Sequence, residues 1–298
     1  MVSKGKGFAI TLRPIVSMVT IPWTAGMAVF AASVYGDYSG DMWTDAQFYW
    51  TLILVILASF LGVTAGYALN DYFDYQVDLA NPVRMDKAAN HGLARKDLLV
   101  FAAMLGIPSL LIWFYLSPLA FLVAIAQLVC ILAYSAWAKP NTPYSNLFVV
   151  LPTALMPITV FFVYTDTLAI EALLLALVNL AFEPGFTWAG VCRDVESDEK
   201  LNIPSLPIVK GIPAVAKMVL AVWIAVAAFT MMTWYYTDLG LVFLIGGMFA
   251  AIFLIASAVA FVKTPTAEMG GATFMKSILW FWVFSISLIV DAAVNIQI

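Results

Sequence analysis

Charge is what this chain has least of. Of 298 residues, 14 are Lys or Arg, 18 are Asp or Glu, one is His and two are Cys. Charged residues make up 11% and hydrophobic ones 63%, where a soluble domain carries about 25% and about 45–50%. A soluble globular protein is excluded, and so is the basic footprint that nucleic acid requires. Cys130 and Cys192 lie within or at the end of apolar runs, with no partner nearby in sequence, so a disulfide framework is not indicated. His91 is the only histidine and stands between Asn90 and Gly92. Without a second His or a nucleophile near it, it reads as a loop residue and not as a base.

What is present is a series of nearly continuous apolar runs of about 20 residues, the length of a membrane-crossing helix. They lack the alternation of a transmembrane barrel. The runs are Ile15 to Val34, Phe48 to Asn70, Leu98 to Tyr115, Leu119 to Trp137, Leu147 to Tyr164, Leu168 to Cys192, Ala214 to Tyr236, Leu239 to Val262 and Ala272 to Val294. The third and fourth are divided only at Ser117-Pro118, where the residue before proline avoids helical geometry. The basic stretch Met1 to Arg13 is followed by a run without a convincing cleavage site, which reads as a retained helix. The expected fold is therefore all-α: one domain, 1–298, with nine transmembrane helices in one bundle.

Every Lys and Arg then falls on one side, whereas Asp37, Asp41, Asp45, Asp166 and Asp238 occupy the other. By the positive-inside rule the amino terminus and the basic side face the cytoplasm. The expected setting is the cell membrane of a prokaryote.

The remaining charge is concentrated at two helix ends. Asn70-Asp71-Tyr72-Phe73-Asp74-Tyr75-Gln76-Val77-Asp78 closes the second run and Asp194-Val195-Glu196-Ser197-Asp198 closes the sixth. Asp71, Asp74 and Asp78 are spaced i, i+3, i+7, and Asp194 and Asp198 i, i+4, so each set projects from one helix face. Facing acidic sets without counterions would repel, which argues for divalent metal between them. Hard oxygen ligands with open metal positions suit a diphosphate. A long helix ending in an acidic cluster and a basic loop, about 70–97 and again 193–213, also suggests two related halves around a shared central cavity.

These segments resemble the two signatures of the UbiA superfamily of intramembrane prenyltransferases: NDYFDYQVD its NDxxDxxxD and DVESD its DxxxD. Arg13-Pro14 is similar to the family's amino-terminal Arg-Pro, and Tyr134, Lys139 and Asn146 to its Tyr, Lys and Asn between the fourth and fifth helices. The resemblance implies an enzyme that uses Mg2+, as two ions, to hold a polyprenyl diphosphate and alkylates a lipophilic acceptor among membrane lipids. It assigns Asp71, Asp74, Asp78, Asp194 and Asp198 to metal and catalysis. Asn70, Arg13, Arg84, Tyr134, Lys139, Asn146, Arg193 and Lys200 would bind substrate, although anchoring at the membrane face explains any one cation as well.

After the first motif the chain reads Asn81-Pro82-Val83-Arg84-Met85-Asp86-Lys87, keeping Arg84 but losing the family's later Pro and Ser. FDYQVDLANP and DVESDEKLNIPS resemble the lycopene-elongase branch, which implies a carotenoid acceptor such as lycopene. Aromatic quinone precursors and a glyceryl-phosphate ether lipid are the alternatives within the class, and a secondary transporter is the alternative outside it. Glu183 is the other candidate substrate contact. It precedes Asp194 by eleven residues, roughly 16 Å deeper in a helix. There an ionisable group marks a functional site unless it is satisfied by backbone freed at Pro184. Pro184-Gly185 is expected to break or kink the sixth helix.

Overall fold

A computed structural model describes residues 4–38, 41–79 and 88–295, all helix, turn and loop with no strand among them. Arg84 lies outside the described residues. The helices are α1 (Lys4–Thr11), α2 (Pro14–Ser17), α3 (Thr20–Tyr35), α4 (Ala46–Phe73), α5 (Tyr75–Leu79), α6 (Arg95–Leu116), α7 (Pro118–Ala133), α8 (Lys139–Asn141), α9 (Leu147–Phe161), α10 (Ile170–Arg193), α11 (Val195–Lys200), α12 (Leu206–Lys210), α13 (Ile212–Tyr236), α14 (Leu241–Lys263) and α15 (Ala267–Asn295). A π-helical turn, Tyr134–Ala138, joins α7 to α8.

Among the described residues, seven helical stretches are long and apolar enough to cross a bilayer: α4, α6, α7 through α8, α10, α13, α14 and α15. The expected first span is divided: Pro22 has no N–H to give the Met18 carbonyl, and α3 starts at Thr20, two residues after the turn at Met18, with Pro22 in its first turn. The expected fifth span is the 15-residue α9, about 22 Å at 1.5 Å per residue against a hydrocarbon core of about 30 Å. The division between α6 and α7 falls at Ser117, whose backbone is extended and whose hydroxyl accepts from Ala120 N at 3.3 Å, capping α7.

Apolar side chains cover the outside as well as the core. Met104, Ile107, Leu111 and Phe114 on α6, and Ile245, Phe249 and Ile252 on α14, are each more than half exposed and recur every three to four residues. Such stripes suit lipid and not water. Inside, hydroxyls bond to carbonyls one turn back, as Thr24, Ser59, Thr64, Thr159, Thr230 and Thr233 do, which keeps polar atoms satisfied without water.

α10 is the most buried of the spanning helices and packs on α9, α13 and α15, whereas α4 packs on α3 and α6. The two motif-bearing helices thus belong to different sides of the bundle. Pro184 does not break α10, which is helical from Ile170 to Arg193. At this turn Trp223 of α13 donates its indole N–H to the Phe182 carbonyl at 3.2 Å. Gly185 makes the approach possible, since a Cβ there would lie 2.2 Å from Trp223 Nε1.

Candidate active site

Both acidic motifs are built the same way. α4 ends at Asp74 and α10 at Asp194, and each Asp opens a short continuing helix, α5 or α11. Backbone bonds cross both junctions, from Asp78 N to Asp74 O and from Asp198 N to Asp194 O, each 2.9 Å. Asp74 and Asp78 therefore match Asp194 and Asp198 in local geometry, and Asp71 lies one turn below on α4.

The first set is the more enclosed. Asp71 is 2% exposed, and Asp74 and Asp78 are 6% exposed. Arg13 reaches Asp71 Oδ1 at 2.8 Å from the turn between α1 and α2, where it adopts the left-handed conformation with φ of 45°. A non-glycine residue held in that region costs about 1–3 kcal/mol, and the ion pair with a buried carboxylate offsets it. The guanidinium also lies over the Tyr67 ring, 4.6 Å from its centroid, a contact worth about 0.5–2 kcal/mol. Burial works against the Arg13 charge, but Asp71 and then Tyr67 outweigh it and hold the pKa above its ordinary value.

Asp74 is bound from two sides. Lys139, delivered by the π-helical turn, forms an ion pair with Asp74 Oδ2, and Asn70 Nδ2 donates to the same oxygen at 3.0 Å. Asn70 Oδ1 is buried with no hydrogen-bond partner among the described residues. The Asp78 carbonyl accepts from Asn90 Nδ2 at 3.3 Å. His91, expected in a loop, is 1% exposed in a short turn against which α1 packs through Gly7.

Across the bundle, Asp194 and Asp198 are half-buried. Arg193 chelates Asp194 through Nε and Nη2, at 3.1 and 3.2 Å, and lies over Phe274. Tyr134, in the π-helical turn that delivers Lys139, is near enough to Lys139 and Asp74 of the first set and to Asp198 of the second for their charges to act on its phenol. The structure thus brings together Arg13, Asn70, Asp71, Asp74, Tyr134, Lys139 and Asp198, with Asp78 acting on Lys139 and Asp194 one turn from Asp198.

Two candidates are elsewhere. Lys200 is exposed and pairs with Glu196 at 2.8 Å, an i,i+4 bond on the outer face of α11 that draws it away from Asp198. That bond, and then the Lys200 charge, hold the Glu196 carboxyl below its usual range. Asn146 is buried beside Ser145, whose hydroxyl donates to its Oδ1 at 3.3 Å, and it makes no bond to the acidic residues among the described residues. Sequence reasoning missed Tyr67, four residues before Asp71 and so on the same face of α4.

Among the described residues, no three Asp, Glu, His or Cys side chains converge tightly enough to enclose an ion. A phosphate-bound Mg2+ has no need of such a cage: it takes one or two carboxylates and completes its octahedron with water and substrate oxygens. The orphaned Asn70 Oδ1 and the neighbouring carboxylates are hard ligands of that kind, so these residues fit the ion.

A model of the UbiA prenyltransferase family matches residues 19–286. Protoheme IX farnesyltransferase 1 of Bacillus subtilis (strain 168) is 27% identical over 170 residues, 56% of this chain and 53% of that protein, so the chain spans about half of that relative. Protoheme IX farnesyltransferase of Nitrosococcus oceani is 24% identical over 234 residues, 78% of each. Among solved structures, the apo UbiA homolog from Aeropyrum pernix K1 superposes with a TM-score of 0.74 at 16% identity, covering 92% of this chain and 97% of that one. A UbiA homolog from Archaeoglobus fulgidus bound to GPP and Mg2+ gives 0.60 at 13% identity, covering 95% and 99%. At these identities the superpositions speak for the fold alone.

Proposed function

The chain belongs to the UbiA prenyltransferase family, and we propose that it moves a prenyl group from a prenyl diphosphate to a lipophilic acceptor, with Mg2+ held between its two acidic helix ends. One observation carries this reading. Asp71 and Asp74 each face a cation, Arg13 or Lys139, while Tyr134 is under the influence of both motifs. Hard oxygen ligands and cations lie side by side at Asp71 and Asp74, the arrangement a metal-bound diphosphate needs. The transporter alternative is set aside by membership of an enzyme family.

Asn70, Asp71, Asp74 and Asp78 would hold metal on one side, and Asp194 and Asp198 on the other. Mg2+ supplies neutralisation of the leaving diphosphate. Arg13 and Lys139 trade part of their pairing with Asp71 and Asp74 for diphosphate oxygens, and Arg193 keeps Asp194 oriented. In the reaction the allylic C1–O bond breaks with its electron pair leaving on diphosphate. The acceptor's π electrons then form a bond to C1, and the acceptor gives up a proton.

All 14 basic residues fall on the motif side of the expected spans, which supports a cytoplasm-facing site in a cell membrane. The relatives' names make farnesyl diphosphate and protoheme IX the first donor and acceptor to test. They lend no support to a carotenoid. The test is mass spectrometry of lipids from cells expressing the chain or its Asp74→Asn form. A prenylated product made only by the unaltered chain is expected, and identical lipid profiles would overturn the reading.

A further inference from the structure

Deep below the acidic residues, α10 carries two polar side chains that the donor site does not use. Asn179 is 1% and Glu183 5% exposed. At i and i+4 they share one face of the helix. Asn179 is fixed by its amide, which donates to the Thr153 carbonyl on α9 at 2.5 Å. This bond orients Oδ1, and Oδ1 has no hydrogen-bond partner among the described residues. The Glu183 carboxyl likewise makes no hydrogen bond or ion pair among the described residues, and it does not turn back onto the backbone freed by Pro184. Tyr67, whose ring carries the Arg13 guanidinium 4.6 Å from its centroid, is also near enough to Glu183 for the two groups to act on each other. Tyr67 lies one turn below Asp71 on α4 and touches the donor site through Arg13.

A buried acceptor oxygen without a donor, as Asn179 Oδ1 is, costs about 1–3 kcal/mol, and the Glu183 carboxyl one turn away is buried with no partner among the described residues, in a membrane interior where no bulk water relieves either. Native proteins retain such groups where a ligand completes them. We infer that Asn179 and Glu183, with Tyr67 opposite, form a recognition point for an O–H group on the acceptor, so that the acceptor is a lipophile with a hydroxyl or carboxyl function and not a hydrocarbon. This rests on the proposed prenyl transfer and names the chemical class of its second substrate. A phenolic hydroxyl and the carboxyl of a porphyrin side chain are two sources of the same chemistry.

The test uses the full chain in lipid nanodiscs with Mg2+ and farnesyl diphosphate. The acceptor probes are protoheme IX and its dimethyl ester, a long-chain hydroquinone and its dimethyl ether, and lycopene. Donor binding is measured separately, by displacement of a fluorescent prenyl diphosphate. Transfer to at least one O–H probe is expected, with a loss of roughly tenfold or more on alkylating that O–H. Glu183→Leu and Asn179→Leu should bring the free and alkylated probes to nearly equal, low rates while donor binding is unchanged. Glu183→Gln, which retains an acceptor oxygen and the shape, should recover part of the discrimination. With donor binding intact, equal transfer to free and alkylated probes, faster transfer to lycopene, or no transfer to either O–H probe overturns the inference. Loss of Mg2+-dependent donor binding in the unaltered chain would instead overturn the donor site on which it rests.

Discussion

Asp74 and Asp194 occupy matching positions in their motifs but differ in what else depends on them. Asp74 is buried and holds Lys139, and removing one partner of a buried pair leaves an uncompensated charge, at a cost of about 3–5 kcal/mol in a fully enclosed site. Lys139 retains 24% of its side-chain exposure, so the cost here belongs below that range. Asp194 is paired with the exposed Arg193, and a pair of that kind is worth about 0–1 kcal/mol. Asp74→Asn and Asp194→Asn should therefore both lower turnover on the order of 100-fold or more, but only Asp74→Asn should lower the melting temperature in detergent. Fluorescence-detected unfolding beside a diphosphate-release assay separates the two effects. The acidic residues were legible in the sequence because their spacing is local. Tyr67 was not, since its significance comes from Arg13, in the turn between α1 and α2, and from Glu183 on α10.

At the scale of the helix, proline divides elements where it begins one, and the break expected where it lies inside one does not occur. Ser117-Pro118 divides α6 from α7 because an extended residue and a hydroxyl cap are both available there. Pro184 leaves α10 continuous, supported by packing on three neighbours that the local sequence does not reveal. Gly185 is part of that support. Gly185→Ala should push Trp223 off the Phe182 carbonyl, because the added Cβ would stand 2.2 and 2.7 Å from two indole atoms, and overpacking of this sort costs about 1–3 kcal/mol. A fall in melting temperature without loss of Mg2+-dependent donor binding is expected. An unchanged melting temperature would mean that α13 moves aside freely.

For the whole molecule, composition was enough to establish a helical membrane protein, and seven of the nine apolar runs recur among the described residues as helices long and apolar enough to cross a bilayer. α3 and α9 are apolar yet short, one started late by Pro22 and the other held to 15 residues. The distribution of Lys and Arg leads to a topological prediction. In a background without Cys130 and Cys192, a cysteine at Lys96 should be labelled by a membrane-impermeant maleimide only in inverted vesicles, and one at Asp41 only in intact cells. Labelling in the opposite sense would place the acidic site on the outer face.

The account depends on two motifs from different sides of the bundle acting on one diphosphate, and the most direct measurement is release of diphosphate from farnesyl diphosphate by the purified chain. With Mg2+ and an acceptor, release should be rapid, abolished by EDTA and restored by added Mg2+. It should be lost equally when Asp74 of the first motif or Asp198 of the second is changed to Asn. Release that persists in EDTA, or that survives either substitution with unchanged metal dependence, would contradict a shared metal–diphosphate site.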